Sequence, residues 1–217
     1  MRRHILMGMH QYLSGLNELE MITRAPGYFK YQPHSVAAHS WKVTEAAQFL
    51  GDIEEANGKD VDWRMLYEKA LNHDITERFI GDIRTPVKYA SSTLRHMLAD
   101  VEDTLSDNFI NTEIPEELQD VYTRRLHEGK DDTLEGRILS VADKVDLLYE
   151  AFGELQKGNP EPVFTEIYKE SLETIFAFRD MPSVAYFIKE VLPELLNEHF
   201  PGSEKLQRIY IGIFNAD

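Results

Sequence analysis

Apolar residues recur along this chain at steps of three and four, the period of a helix that turns one face to a core. Ile5, Met9, Leu13, Leu16, Leu19 and Ile22 keep that spacing and predict a helix over 2–23. A second is predicted from Ser35 to about Asn57, with Val36, Val43, Ala47 and Leu50 on one face and Gly58 ending it. A third starts behind Asp62, whose side chain suits an N-cap, and runs through Trp63, Leu66 and Ala70 to His73. Further helices are expected at 90–109, 115–128, 133–156, 162–178 and 182–198, with Pro115 and Pro182 at helix starts.

The segment 133–156 differs from the rest. Leu134, Ile138, Val141, Val145, Leu148, Phe152 and Leu155 step four, three, four, three, while Leu139, Ala142 and Leu147 occupy the other side. A helix apolar on nearly all sides belongs at the centre of a fold. The breaks at GKDD (129–132), GNPEP (158–162) and FPGSE (200–204) are too short for interdomain linkers, and no internal repeat is visible. The expectation is one all-α domain over 1–217. Trp41, Trp63 and Met97 sit at helical spacings and are expected in its core; His4, His10 and His34 are expected at the surface or in packing, His34 bordering any pocket.

Composition narrows the chemistry. Forty-two per cent of the 217 residues are apolar, ample for one core. No stretch approaches 18 uninterrupted apolar residues, so no membrane span is expected, and the opening MRRHILMGMHQYL does not read as a signal peptide. The formal charge of −15, from 38 acids against 23 bases, works against polymeric nucleic acid but leaves a single nucleotide possible. There is no cysteine, which excludes disulfides, thiolate metal sites and thiol nucleophiles, and a cytoplasmic location is expected.

Histidines and acids then fall on the core faces. His39 shares a face with Val43, Ala46 and Leu50; His73 follows Leu66 and Ala70; Asp74 lies next to it; Asp143 interrupts the central helix. A buried carboxylate there needs a charge or several hydrogen bonds to compensate it. Singly, each residue has a plainer explanation: a hydrogen-bonded core histidine, or an Asp143 paired with a neighbour such as Lys144. As a set, two imidazoles and two carboxylates form an N/O donor group suited to a divalent ion with open positions. The string HDITERFIGDIRTPVKY (73–89) adds Glu77 and Asp82, which either handle water and protons beside such an ion or pair with Arg78 and Arg84.

The order His39…His73-Asp74…Asp143 resembles the signature of the HD superfamily of metal-dependent phosphohydrolases. ITRAPGY (22–28), SVAAHSWKV (35–43), HDITERFIGDIRTPVKY (73–89) and SVADKVDLL (140–148) resemble its bacterial HD-domain 5′-deoxynucleotidases, over roughly 5–155, with helices at 160–215 packing on that part. The resemblance implies an HD-type helical bundle with His39, His73, Asp74 and Asp143 as ligands of a divalent metal (Co, Mn, Zn, Fe or Mg). It also implies Arg24 on the phosphate, Glu77 and Asp82 as acidic residues near the reacting water and the substrate, and a homodimer. The activity implied is phosphate release from (deoxy)nucleoside 5′-monophosphates. Ala25 departs from the tryptophan that some members carry there, which bears on deoxyribose against ribose. The alternatives are a triphosphohydrolase on the same ligands, a two-metal site recruiting His96 and His127, and a non-catalytic nucleotide-binding module. The plainer expectation for His127 is a cation at a helix C-terminus.

Overall fold

In a computed structural model, residues 9–83, 85–88, 90–127 and 129–214 are described, and their regular structure is helical apart from one antiparallel bridge, Thr23 to Ser35. His4, Ile5, Arg84 and Tyr89 lie outside the described residues. The chain divides into two compact units, one formed by 1–27, 33–40 and 71–129 and the other by 28–32, 41–70 and 130–217.

The first unit holds α1 (Met9–Met21), the opening turn of α2 (Val36–Ala56), α4 (Glu77–Ile80), α5 (Thr85–Lys88), α6 (Ser92–Glu113) and α7 (Gln119–His127). Two small cores serve it: Phe109, Ile110, Ile114 and Tyr122 in one, Leu19, Val36 and Ile75 in the other. Tyr12 packs edge-on against Tyr122 with ring centroids 5.4 Å apart. Arg78 bonds Glu18 at 2.7 Å and lies over the rings of Phe79 and Phe109, so it is not the partner of Glu77 or Asp82. Its guanidinium fits against α1 because residue 15 is glycine; a Cβ there would overlap it. The helix expected at 115–128 is split: Pro115 opens a single 3-10 turn, Glu116–Leu118, before α7 begins.

The second unit contains the rest of α2, α3 (Trp63–Asn72) as far as Ala70, α8 (Leu134–Gln156), α9 (Pro162–Ala177), α10 (Pro182–Tyr186), α11 (Leu192–Leu196) and α12 (Ser203–Phe214). Its core is large: Ile138, Leu139, Val141, Ala142 and Leu148 of α8 are fully buried with Phe164, Tyr168 and Leu172 of α9. The predicted starts hold. Asp62 accepts from Met65 N at 2.9 Å, and Thr133 caps α8 by accepting from Gly136 N. Between α10 and α11 the rod widens into a π-turn, Phe187–Val191. Pro193 follows it and has no amide to bond back one turn, which accounts for the local loosening.

Several placements differ from expectation, and Leu13 and Leu16 of α1 are exposed rather than on its core face. Trp41 is 61% exposed and Met97 60% exposed, whereas Trp63 packs on the core. At about 100° per residue, Trp41 stands roughly opposite Val43, and Met97 roughly opposite Ser106. Helical spacing identifies a line of apolar residues; it does not say which line faces inward. The central helix is also less apolar than expected. Besides Asp143 it buries Asp146, Glu150 and Glu154 on one stripe, at steps of three, four and four. Lys42 meets Asp146 at 2.8 Å, and Lys30 meets Glu150 at 2.8 Å with both side chains 5% exposed or less. Glu154 accepts from the amides of Tyr31 and Gln32 and from Asn159 Nδ2.

Candidate metal centre

Three pieces of the first unit build the site: the loop 22–27, the first turn of α2, and the turn 73–82. The loop is clamped to the approach of α2 by two backbone bonds of 3.0 Å, Val36 N to Ile22 O and Arg24 N to His34 O. Ser35 then starts the helix, its hydroxyl accepting from Ala38 N. His39 lies one turn further and is fully buried. At the other side α3 stops at Asn72, and His73–Thr76 form a turn whose end is marked by Glu77 N donating to Asp74 O at 3.1 Å.

These pieces converge on one point. His39 Nε2 and His73 Nε2 are 3.2 Å apart, and each is 3.3 Å from Asp74 Oδ2. Among the described residues this is the group of donors arranged to hold a metal ion. Donors each about 2.1 Å from one ion, at tetrahedral to octahedral angles, stand about 3.0–3.4 Å from one another. The triangle matches that spacing. Two ring nitrogens and a carboxylate oxygen so close also repel through their lone pairs unless a proton or a cation lies among them. The donor set and its spacing therefore fit a divalent ion.

Charges around the triangle are uneven. Burial works to raise the Asp74 pKa, but His73, His39 and the Arg24 guanidinium outweigh it and hold the carboxyl well below its ordinary value. Arg24 reaches Asp74 Oδ2 with Nη1 at 2.9 Å. Glu77 goes the other way. Burial, with Asp74 and Asp82 nearby, pushes it up to about 8, and its Oε2 is buried with no hydrogen-bond partner among the described residues. Asp82 accepts from the Ala25 amide at 2.5 Å, and Ala25 is the one non-glycine described with positive φ, at 46°.

The structure thus brings together His39, His73 and Asp74, with Arg24, Glu77 and Asp82 around them. Asp143 belongs to the second unit, where its Oδ2 accepts from Lys130 at 2.5 Å rather than from Lys144. His127 ends α7 with Asp103 and Asp107 within 3.6 Å, and His96 is exposed on α6; neither belongs to the donor group. What the sequence reading missed is the Ala25 turn. Its signal was the Pro26-Gly27 pair, which marks a turn directly after Arg24.

Residues 11–195 match the family model described as 5′-deoxynucleotidase YfbR-like. A 5′-deoxynucleotidase of Cronobacter sakazakii is 28% identical over 188 residues, 86% of this chain and 92% of that protein. The crystal structure of an HD-domain phosphohydrolase from Listeria innocua is 58% identical, with a TM-score of 0.91 over 97% of this chain and 100% of that one. A cyanophage S-2L HD phosphohydrolase bound to dA and one catalytic zinc ion shares the fold at TM-score 0.58, with 15% identity over 83% of this chain and 96% of that one. No helix among the described residues is long and apolar enough to cross a membrane.

Proposed function

The chain belongs to the YfbR-like 5′-deoxynucleotidase family, and from that premise we propose that it releases inorganic phosphate from deoxynucleoside 5′-monophosphates. It is a metal-dependent phosphohydrolase. The observation that carries the reading is the His39–His73–Asp74 triangle, spaced for one divalent ion, with a guanidinium beside it.

A divalent ion held there supplies an activated water and positive charge for the phosphoryl oxygens. Arg24 offers the phosphate a planar fork of donors; its Nη1 already engages an oxygen anion, Asp74 Oδ2, as it would a phosphoryl oxygen. Glu77 has the position of a proton acceptor beside the triangle. Burial and the neighbouring carboxylates Asp74 and Asp82 favour a proton on Glu77, and its Oε2 has no hydrogen-bond partner among the described residues, so it is free to take a proton from water. Asp143 is proposed as the fourth ligand on its place in the motif order, and a homodimer in the cytoplasm is proposed with it. Light scattering of the purified protein tests the dimer; a monomer mass contradicts it.

The test is a panel of nucleotides assayed with Mn²⁺, Co²⁺, Zn²⁺ and Mg²⁺. Phosphate released from dAMP or another monophosphate, lost on chelation and in Asp143→Asn, is expected. Triphosphate released from dATP instead would assign a triphosphohydrolase, and binding without turnover of any nucleotide would leave a binding module.

A further inference from the structure

Asp82 was expected to work on water or substrate, yet one of its carboxylate oxygens is already engaged by the backbone. Its Oδ2 accepts from the backbone N–H of Ala25 at 2.5 Å. Ala25 holds φ at 46°, a left-handed conformation in which its Cβ crowds the backbone and which an L-residue keeps only when its surroundings impose it. The residue before it, Arg24, is fixed from its other end: its own amide donates to His34 O, and its guanidinium reaches Asp74. The Asp82 side of the contact is arranged with equal care. Gly81, at φ 74° and ψ 171°, ends α4 in a conformation open to glycine, and its amide donates to Glu77 O at 2.7 Å, so the chain turns to present Asp82.

We propose that Asp82 is a positioning residue: its carboxylate holds the Arg24–Ala25 turn in the left-handed form and thereby sets the phosphate-binding guanidinium. The proposal rests on the reading of Arg24 as the phosphate ligand. An acceptor oxygen at position 82 is the requirement, not a group that gains or loses a proton. Ala25 is strained there, and glycine at the same place would reach the turn without help.

Three variants separate this role from chemistry at Asp82. Asp82→Ala should raise KM about ten-fold, the weight of one lost hydrogen bond to a charged acceptor, with kcat within about three-fold of the parent. Asp82→Asn keeps an acceptor oxygen and should give back most of that KM. Adding Ala25→Gly to Asp82→Ala should also recover it, by removing the strain the carboxylate opposes. Hydrogen exchange of the Ala25 amide supplies a readout independent of turnover: slow in the parent and in Asp82→Asn, fast in Asp82→Ala. A kcat collapse in Asp82→Asn as deep as in Asp82→Ala, no recovery with Ala25→Gly, or an Ala25 amide that exchanges alike in all three would each overturn the proposal. A parent protein that releases no phosphate from any monophosphate would refute the proposed function instead, and the amide exchange would still decide the role of Asp82.

Discussion

Buried carboxylates occur in both units of this protein, and the two units treat them differently. Along α8 of the second unit, Asp146 has Lys42, Glu150 has Lys30, and Glu154 has two amides and an asparagine. Each acid there meets a lysine or an amide on at least one oxygen, although Glu150 Oε2 has no hydrogen-bond partner among the described residues. In the first unit Asp74 shares one oxygen among two imidazoles and a guanidinium, and among the described residues Glu77 makes no ion pair and its Oε2 has no hydrogen-bond partner. Asp146, Glu150 and Glu154 are held by fixed protein partners, whereas Asp74 sits among donors spaced for an ion, with Glu77 beside it.

The comparison is broken most severely at the triangle. Asp74→Asn should abolish measurable phosphate release while circular dichroism shows the helices retained, because the donor is lost but the cores of both units are untouched. On the α8 side the effect should be on stability and not on chemistry. Glu150→Ala removes the carboxylate that meets the buried Lys30 ammonium, which should cost about 1.5–3 kcal/mol in urea unfolding, the weight of one charged hydrogen bond. The folded fraction should retain the parent kcat.

The two glutamates with shifted pKa values sharpen the contrast through pH. Burial works to raise Glu154, but Asn159 and the amides of Tyr31 and Gln32 outweigh it and hold it below its ordinary value. Its contribution to stability is therefore present above the unfolded-state pKa and disappears as pH falls through the lower folded value. Glu77 has the opposite sign. Its folded pKa of about 8 lies above the unfolded value, so metal-free protein should lose stability as pH rises from about 5 to about 8. Glu77→Gln should flatten the alkaline slope alone, and Glu154→Gln the acid slope alone. The smallest effect belongs to the exposed Arg64–Glu68 pair of α3, where Arg64→Ala should change stability by under about 1 kcal/mol.

How much of this was written in the sequence depends on whether the cause is local. The caps at Asp62 and Thr133 and the proline starts at 162 and 182 are decided within a turn of chain, and those helices begin where the pattern placed them. The His39, His73 and Asp74 cluster was legible because residue type, helical face and motif order all pointed the same way. The inward face of α2 was legible as well, since Val36, Val43, Ala47 and Leu50 are buried, but the outward placement of Trp41 and Met97 was not, because it depends on which neighbours pack against each helix. The spacing of Asp143, Asp146, Glu150 and Glu154 was visible, but their answering groups Lys130, Lys42, Lys30 and the 31–32 amides come from segments up to 123 residues away in sequence. No periodicity encodes such a pairing. The strained Ala25 was out of reach for the same reason, because Asp82 imposes its conformation from 57 positions away.

The central claim is that His39, His73 and Asp74 hold one divalent ion. Titrating the metal-free protein with Co²⁺ and following its visible absorption measures this directly. One ion per chain is predicted, with the bound-state spectrum lost in His39→Ala, His73→Ala and Asp74→Ala alike. An unchanged spectrum and stoichiometry in those variants, or no uptake by the parent protein, would contradict it.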